Sequence, residues 1–236
     1  MNVILTQSYE ESARKGAELI LDAVSRKPDL LLGLATGETP VAIYRRLCEA
    51  YQAGAADFSR ASSVNLDEYV GCREEDSYRR FMDENLFSKI NIPRENITIA
   101  DYAAPPEAEV TRLRQFFETH TVDLQLLGIG ANGHIGFNEP DHDGLEAPVH
   151  ISPLTQSTKE ANAHWFADGA VPDRAITMGM GDILRAKSIL LVVKGESKRA
   201  VLRELLNGGK VTTNNPATFL LLHPDVTLIT EESLTV

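Results

Sequence analysis

The 236-residue chain predicts an α/β fold around a mostly parallel sheet, and three observations carry that expectation. Short apolar runs rich in Leu, Val and Ile recur along it, without the in/out alternation of a sheet that has one wet face. Longer amphipathic segments separate them, and the strand, helix, strand order gives crossover units. No Pro/Ser-rich linker or compositional break interrupts the pattern, so a single domain over residues 1–236 is expected.

In chain order, an amphipathic segment at 10–25 precedes the buried run DLLLGLA (29–35). A second helical pattern at 40–53 leads to SSVNL (62–66), and two more, at 77–89 and 107–120, lead to DLQLLGIG (123–130). RAITMGM (174–180), SILLVVKG (188–195), a helical stretch at 196–206 and DVTLIT (225–230) complete the series. Residues 141–157 and 206–216 read as loops on their turn-forming content.

Composition narrows function. With 34 acidic against 23 basic residues the formal charge is -11, which disfavours nucleic acid and anionic membranes as partners because both repel such a chain. MNVILTQSYE lacks the basic and apolar regions of a leader, and no run approaches the ~18 apolar residues that would suggest a membrane span, so a cytoplasmic protein is expected. Cys48 and Cys72 lie far apart and read as ordinary thiols.

In a doubly wound sheet, ligands sit outside the carboxyl ends of the strands, so the residues after each run are the candidates. TGETP follows the first: Thr36 and Gly37 form a turn, Pro40 suits a first helical turn, and the exposed amides with the Thr36 and Thr39 hydroxyls offer an anion site. A Thr at a helix start is as common without a ligand, and Glu38 opposes an anion unless its carboxylate points away into solvent. DEY follows SSVNL, and consecutive side chains on an extended segment point opposite ways, so one of Asp67 and Glu68 faces the crevice as a desolvated base candidate. Spacing does not choose between them.

LLGIGANGHIGFNEP (126–140) follows the third run and contains G-x-G-x-x-G at Gly128, Gly130 and Gly133. A dinucleotide site needs a helix to begin within that motif and an acid ~20 residues on, whereas Gly136 and Pro140 break the segment and APVHISPL carries no acid. The dinucleotide reading therefore weighs little. The glycines instead allow close backbone approach while holding His134, which in isolation would be an ordinary loop histidine. Glu139, five residues on, can raise its pKa and fix its tautomer. A metal site from His134, Glu139, Asp141, His142 and Asp143 lacks helical i, i+4 spacing, and DHDG reads as a polar turn, so no metal is expected.

LGLATGETP, VNLDEYVG, LLGIGANGHIGFNEP and TMGMGDIL together resemble the glucosamine-6-phosphate deaminase (isomerase) family, in matching order across nearly the whole chain. The resemblance implies a modified Rossmann-like α/β/α sandwich and conversion of an amino-sugar 6-phosphate to fructose 6-phosphate and ammonia without a cofactor. It implies that Asp67 moves the proton from C2 toward C1, that His134 opens the pyranose ring with Glu139 as partner, and that Asn132 stands where some members have aspartate. Thr36, Gly37, Glu38, Thr39, Gly133, His164 and Lys198 take substrate- or phosphate-binding positions. The chain departs from the family at Glu38, where a small residue is usual, at His164, where an arginine is usual, and at APVH before His150. A neutral histidine in place of a charged fork weakens an anion site, which brings in the C4 epimer, galactosamine 6-phosphate, as a variant substrate.

Two other readings are weighed. A 6-phosphogluconolactonase shares the fold, but its members tend to carry an arginine after the acid pair and to lack FNEP, whereas this chain has Tyr69 and 137–140 as FNEP. A non-catalytic sensor predicts loss of one of Asp67, His134 and Glu139 and an added basic segment. Family members with longer C-terminal tails form allosteric hexamers, so a monomer or small homo-oligomer is expected.

Overall fold

A computed structural model describes residues 1–166 and 168–235. Seven strands form one sheet in the order β1 (Asn2–Thr6), β10 (Val226–Glu231), β9 (Ser188–Val193), β6 (Leu124–Leu127), β2 (Leu31–Leu34), β3 (Ser62–Asn65) and β5 (Ile97–Thr98). Every neighbouring pair in it is parallel, which establishes the α/β class. Strand side chains alternate between two cores: Leu126, Leu190 and Val192 face one, Leu127, Leu191 and Val193 the other.

Helices close both faces. The helices α1 (Tyr9–Arg26) and α2 (Glu38–Gln52) cover one with Ala13, Ala17, Ile20, Ile43 and Leu47. Ser8 starts α1 by accepting from the Glu11 amide, and the apolar residues at 13, 17, 20 and 24 make its buried stripe. The patterned stretch 77–89 becomes a short helix α3 (Tyr78–Met82) and a π-helical turn, Asp83–Phe87, rather than one continuous helix. On the opposite face lie α4 (Pro106–Thr119), α6 (Met180–Leu184) and α7 (Arg199–Asn207).

Three further features differ from the sequence expectation. Residues 2–6 form β1, an edge strand with Val3 and Leu5 exposed, too short and too wet to stand out as a buried run. The 141–157 stretch contains β7 (His150–Pro153) and the start of α5 (Gln156–Asn162), so only its first part is a loop. RAITMGM does not join the parallel sheet: β8 (Arg174–Thr177) pairs antiparallel with β7 and with β4 (Asp67–Tyr69) in a separate three-stranded sheet. That small sheet sits at the carboxyl end of β3 and decides where the next side chains point. No helix is long and apolar enough to cross a membrane among the described residues.

Candidate active site

Four adjacent strands deliver the site, in the order β9, β6, β2, β3. From their carboxyl ends come Lys194 and Lys198, then His134, then Thr36 to Thr39, then Asp67, and all of these line one cavity of about 630 Å³. That volume suits a small phosphorylated sugar. Helix α5 and the turn after it supply the remaining wall with Thr158, His164 and Trp165.

Asp67 stands where the chain leaves the large sheet for the small one. Leu66 still donates its amide to Leu34, while its carbonyl accepts from Met178, and Asp67 opposes Thr177 in the antiparallel ladder. The reversal separates the two acids. Asp67 faces the cavity, and Glu68 turns to the start of α3, where its carboxylate accepts from the Tyr69, Tyr78 and Arg79 amides at 2.8–2.9 Å. Burial first, and the neighbouring Glu68 charge second, push the Asp67 carboxyl up to about 8, against a hydrogen bond from Thr36 that favours its ionised form. Burial likewise raises Glu68 to about 7, opposed by its three amide donors. The Thr36 hydroxyl thus serves Asp67 and also Tyr78, whose own hydroxyl reaches that of Tyr69 at 3.1 Å.

The glycine-rich segment has a steric reason. A side chain at Gly130 would strike the His134 ring, since its Cβ would lie 2.4–2.5 Å from ring atoms. At Gly136, with φ 59°, a Cβ would lie 2.8 Å from the Thr177 hydroxyl and 3.4 Å from an Asp67 carboxylate oxygen. These two glycines make room for the His134 and Asp67 side chains. Gly133 is different: it is buried away from the cavity wall, turns at φ 90°, packs on Asn215 and accepts from the Ala217 amide through its carbonyl. The structure thus places Gly133, expected as a substrate contact, in a turn behind the cavity wall.

His134 is held from one side. Its Nδ1 lies 3.4 Å from Glu139 Oε2 and 3.4 Å from the Thr158 hydroxyl, so Nε2 is the nitrogen left for the cavity. Asn132 clasps the pair, donating from Nδ2 to Glu139 Oε2 at 2.7 Å and accepting from the His134 amide at 3.1 Å. Burial alone would raise the Glu139 carboxyl, but the His134 hydrogen bond and charge, with Thr158 and Asn132, hold it below its ordinary value. Glu139 sits behind His134 rather than on the wall, and its Oε1 is buried with no hydrogen-bond partner among the described residues. The small sheet fixes this loop: the Phe137 amide donates to the Thr177 hydroxyl, Asn138 Nδ2 donates to the Met178 carbonyl, and the Ser152 hydroxyl donates to the Phe137 carbonyl.

The far end of the cavity is cationic and looser. Lys198 is partly buried, and burial lowers its pKa against the supporting charge of Glu38. Lys194, which the sequence reading passed over, lies 4.3 Å over the Tyr9 ring and 3.4 Å from Glu38 Oε2. His164 Nε2 lies 3.6 Å from Glu38 Oε1. The condition set for an anion here, a Glu38 carboxylate pointing away into solvent, is not met: although about half exposed, it turns in toward Lys194, Lys198 and His164. The acidic turn at Asp141 to Asp143 is an exposed Asx turn, Asp141 Oδ1 accepting from the Asp143 amide.

Thr158 and Lys194 are the residues that sequence reasoning missed. Thr158 follows the helix cap Thr155 and reads as an ordinary first-turn residue, and Lys194 reads as a strand-end lysine. Neither carries a signal of its own.

Residues 6–229 match the family model described as glucosamine-6-phosphate isomerases/6-phosphogluconolactonase. The chain belongs to this family. Within it, the glucosamine-6-phosphate deaminase of Lachnoclostridium phytofermentans is 49% identical over 234 residues, covering 97% of this chain and 98% of that protein. A solved monomeric glucosamine-6-phosphate deaminase superposes with a TM-score of 0.94 at 39% identity, covering 99% of this chain and 98% of its own. The 6-phosphogluconolactonase of Thermotoga maritima superposes at 0.73 with 20% identity over 98% and 99% of the two chains, a likeness of fold alone. Both branches share the sandwich, and sequence likeness is concentrated in the deaminase branch.

Proposed function

We infer that the chain is an aldose–ketose isomerising deaminase that converts glucosamine 6-phosphate and water to fructose 6-phosphate and ammonia. The observation that carries this reading is the pairing, in one cavity, of a desolvated carboxylate at a strand end with a histidine backed by Glu139, facing a cationic end. The 49% and 39% identities to deaminases favour glucosamine 6-phosphate over its C4 epimer and over a lactone.

The chemistry uses these groups in sequence. His134 Nε2 takes the C1 hydroxyl proton and returns it to the ring oxygen, opening the pyranose, while Glu139, Asn132 and Thr158 hold the imidazole. Asp67 then takes the C2 proton as O1 gains the one that the substrate ammonium loses, and delivers it to C1, leaving an iminium at C2. Water adds at C2, ammonia departs, and the ketone remains. Asp67 must be ionised for its step. An empty site holds it near 8, and the substrate's ammonium draws the carboxylate toward its charged form in a cavity where charges count for more than in water. Lys194, Lys198 and the amides at the start of α2 receive the phosphate.

The chain is proposed to act in the cytoplasm as one domain spanning 1–236, as a monomer or small homo-oligomer. A gel-filtration mass at hexamer size would overturn the last point. Ammonia release from glucosamine 6-phosphate and galactosamine 6-phosphate, measured side by side without added metal or cofactor, tests the reaction. Faster release from glucosamine 6-phosphate is expected; silence on both, with hydrolysis of 6-phosphogluconolactone, would move the chain to the other branch.

A further inference from the structure

A carboxylate at the first helical residue of α2 stands where anions are attracted, beside amides that no side chain caps. Glu38 uses that position. Its Oε2 lies 3.4 Å from Lys194 Nζ, its Oε1 lies 3.6 Å from His164 Nε2, and its charge supports the half-buried Lys198 cation. We propose that Glu38 sets the phosphate affinity of this pocket, as an internal anion that holds the cationic end between turnovers and that the substrate's phosphate must displace. The proposal rests on the reading that the substrate is phosphorylated.

The surrounding geometry allows the carboxylate to leave and keeps the cations in place. Glu38 is about half exposed, so water receives its side chain once it swings out. Lys194 does not follow it. Its ammonium lies over the Tyr9 ring, and the Tyr9 hydroxyl donates to the Thr39 carbonyl at 2.7 Å, tying the ring to the same helix start. A phosphate that enters replaces one carboxylate charge with a dianion able to reach both lysines and the α2 amides. Two terms oppose it while Glu38 is present. A tethered carboxylate competes at a high effective concentration for Lys194 and His164, and after displacement it still repels the dianion across a few ångströms.

Inorganic phosphate alone is the direct probe. Titration calorimetry is expected to show Glu38→Gln binding phosphate about tenfold tighter than the wild type, with a smaller gain at high salt, and Glu38→Ser tightening it likewise. KM for glucosamine 6-phosphate should fall by a similar factor. Thermal melts of both variants check that they are folded. If phosphate binds either variant no better, or worse, while the wild type still releases ammonia, Glu38 is not a competitor and the deaminase reading stands. If phosphate tightens as expected but neither amino sugar turns over, the deaminase reading falls and the assignment of Glu38 stands.

Discussion

The two ends of the cavity are built by opposite means. At the Asp67 end, Asp67, Glu68, Asn138 and Glu139 are buried, and hydrogen bonds of 2.8–3.1 Å tie Glu68 to the start of α3, Asn138 to the Met178 carbonyl and the His134 amide to Asn132. At the lysine end, Glu38, Lys194 and His164 meet through contacts of 3.4–3.6 Å, with Glu38 and His164 more than half exposed. Proton transfer needs groups fixed within a fraction of an ångström of the reacting atoms, whereas an anion is held by any well-placed set of charges. Substitution is correspondingly cheap at one end and costly at the other.

The largest break should come at Asp67. Asp67→Asn is expected to lower kcat about 10³-fold while leaving sugar-phosphate affinity within a few-fold, because it removes the base and keeps the shape. The same substitution should raise the melting temperature. The carboxyl is held near 8 in the fold and at its ordinary lower value when unfolded, so the unfolded chain loses its proton first and stability declines as pH rises from about 4 to about 8. A melting temperature for Asp67→Asn that exceeds the wild type by more at pH 8 than at pH 5 supports the burial argument; equal curves at both would contradict it.

Glu139→Gln comes next, with a loss of about 10²-fold in kcat, since an amide neither stabilises an imidazolium nor fixes its tautomer. Thr158→Val sharpens the comparison at lower cost. It keeps the volume and removes the hydroxyl beside His134 Nδ1, and roughly a three- to tenfold fall in kcat with little change in KM is expected. A change confined to KM would move Thr158 to the phosphate end. His164→Arg should act there only, lowering KM several-fold through a fixed charge; an unchanged KM would remove His164 from phosphate contact.

The pH profile separates the free and loaded sites. kcat/KM should rise with pH through about 8 as Asp67 ionises in the empty enzyme, and the corresponding limb of kcat should lie at lower pH because the substrate's ammonium favours the carboxylate. Coincident limbs would mean that the ammonium does not face Asp67.

Much of this was legible in the sequence. The strand runs and helical patterns gave the parallel sheet because fully buried strands carry long apolar words, and residues after those words mark the carboxyl ends where the cavity forms. The small sheet was not legible. Asp67–Tyr69, His150–Pro153 and Arg174–Thr177 lie far apart in the chain, HISP is half polar, and antiparallel pairing over such separations leaves no local mark. Without that sheet the choice between Asp67 and Glu68 stays open, and with it the register against Thr177 and Ile176 decides. Glu38 shows the converse case: its identity was plain, but only the positions of Lys194 and His164 reveal that it turns inward.

Ammonia release from glucosamine 6-phosphate by the wild type and by Asp67→Asn, with binding of the sugar phosphate measured on both, tests the account most directly. It predicts release by the wild type, loss of about 10³-fold in the variant, and affinities within a few-fold of each other. Turnover retained in Asp67→Asn would contradict the assignment of the base, and a wild type that binds the substrate but releases no ammonia would contradict the reaction itself.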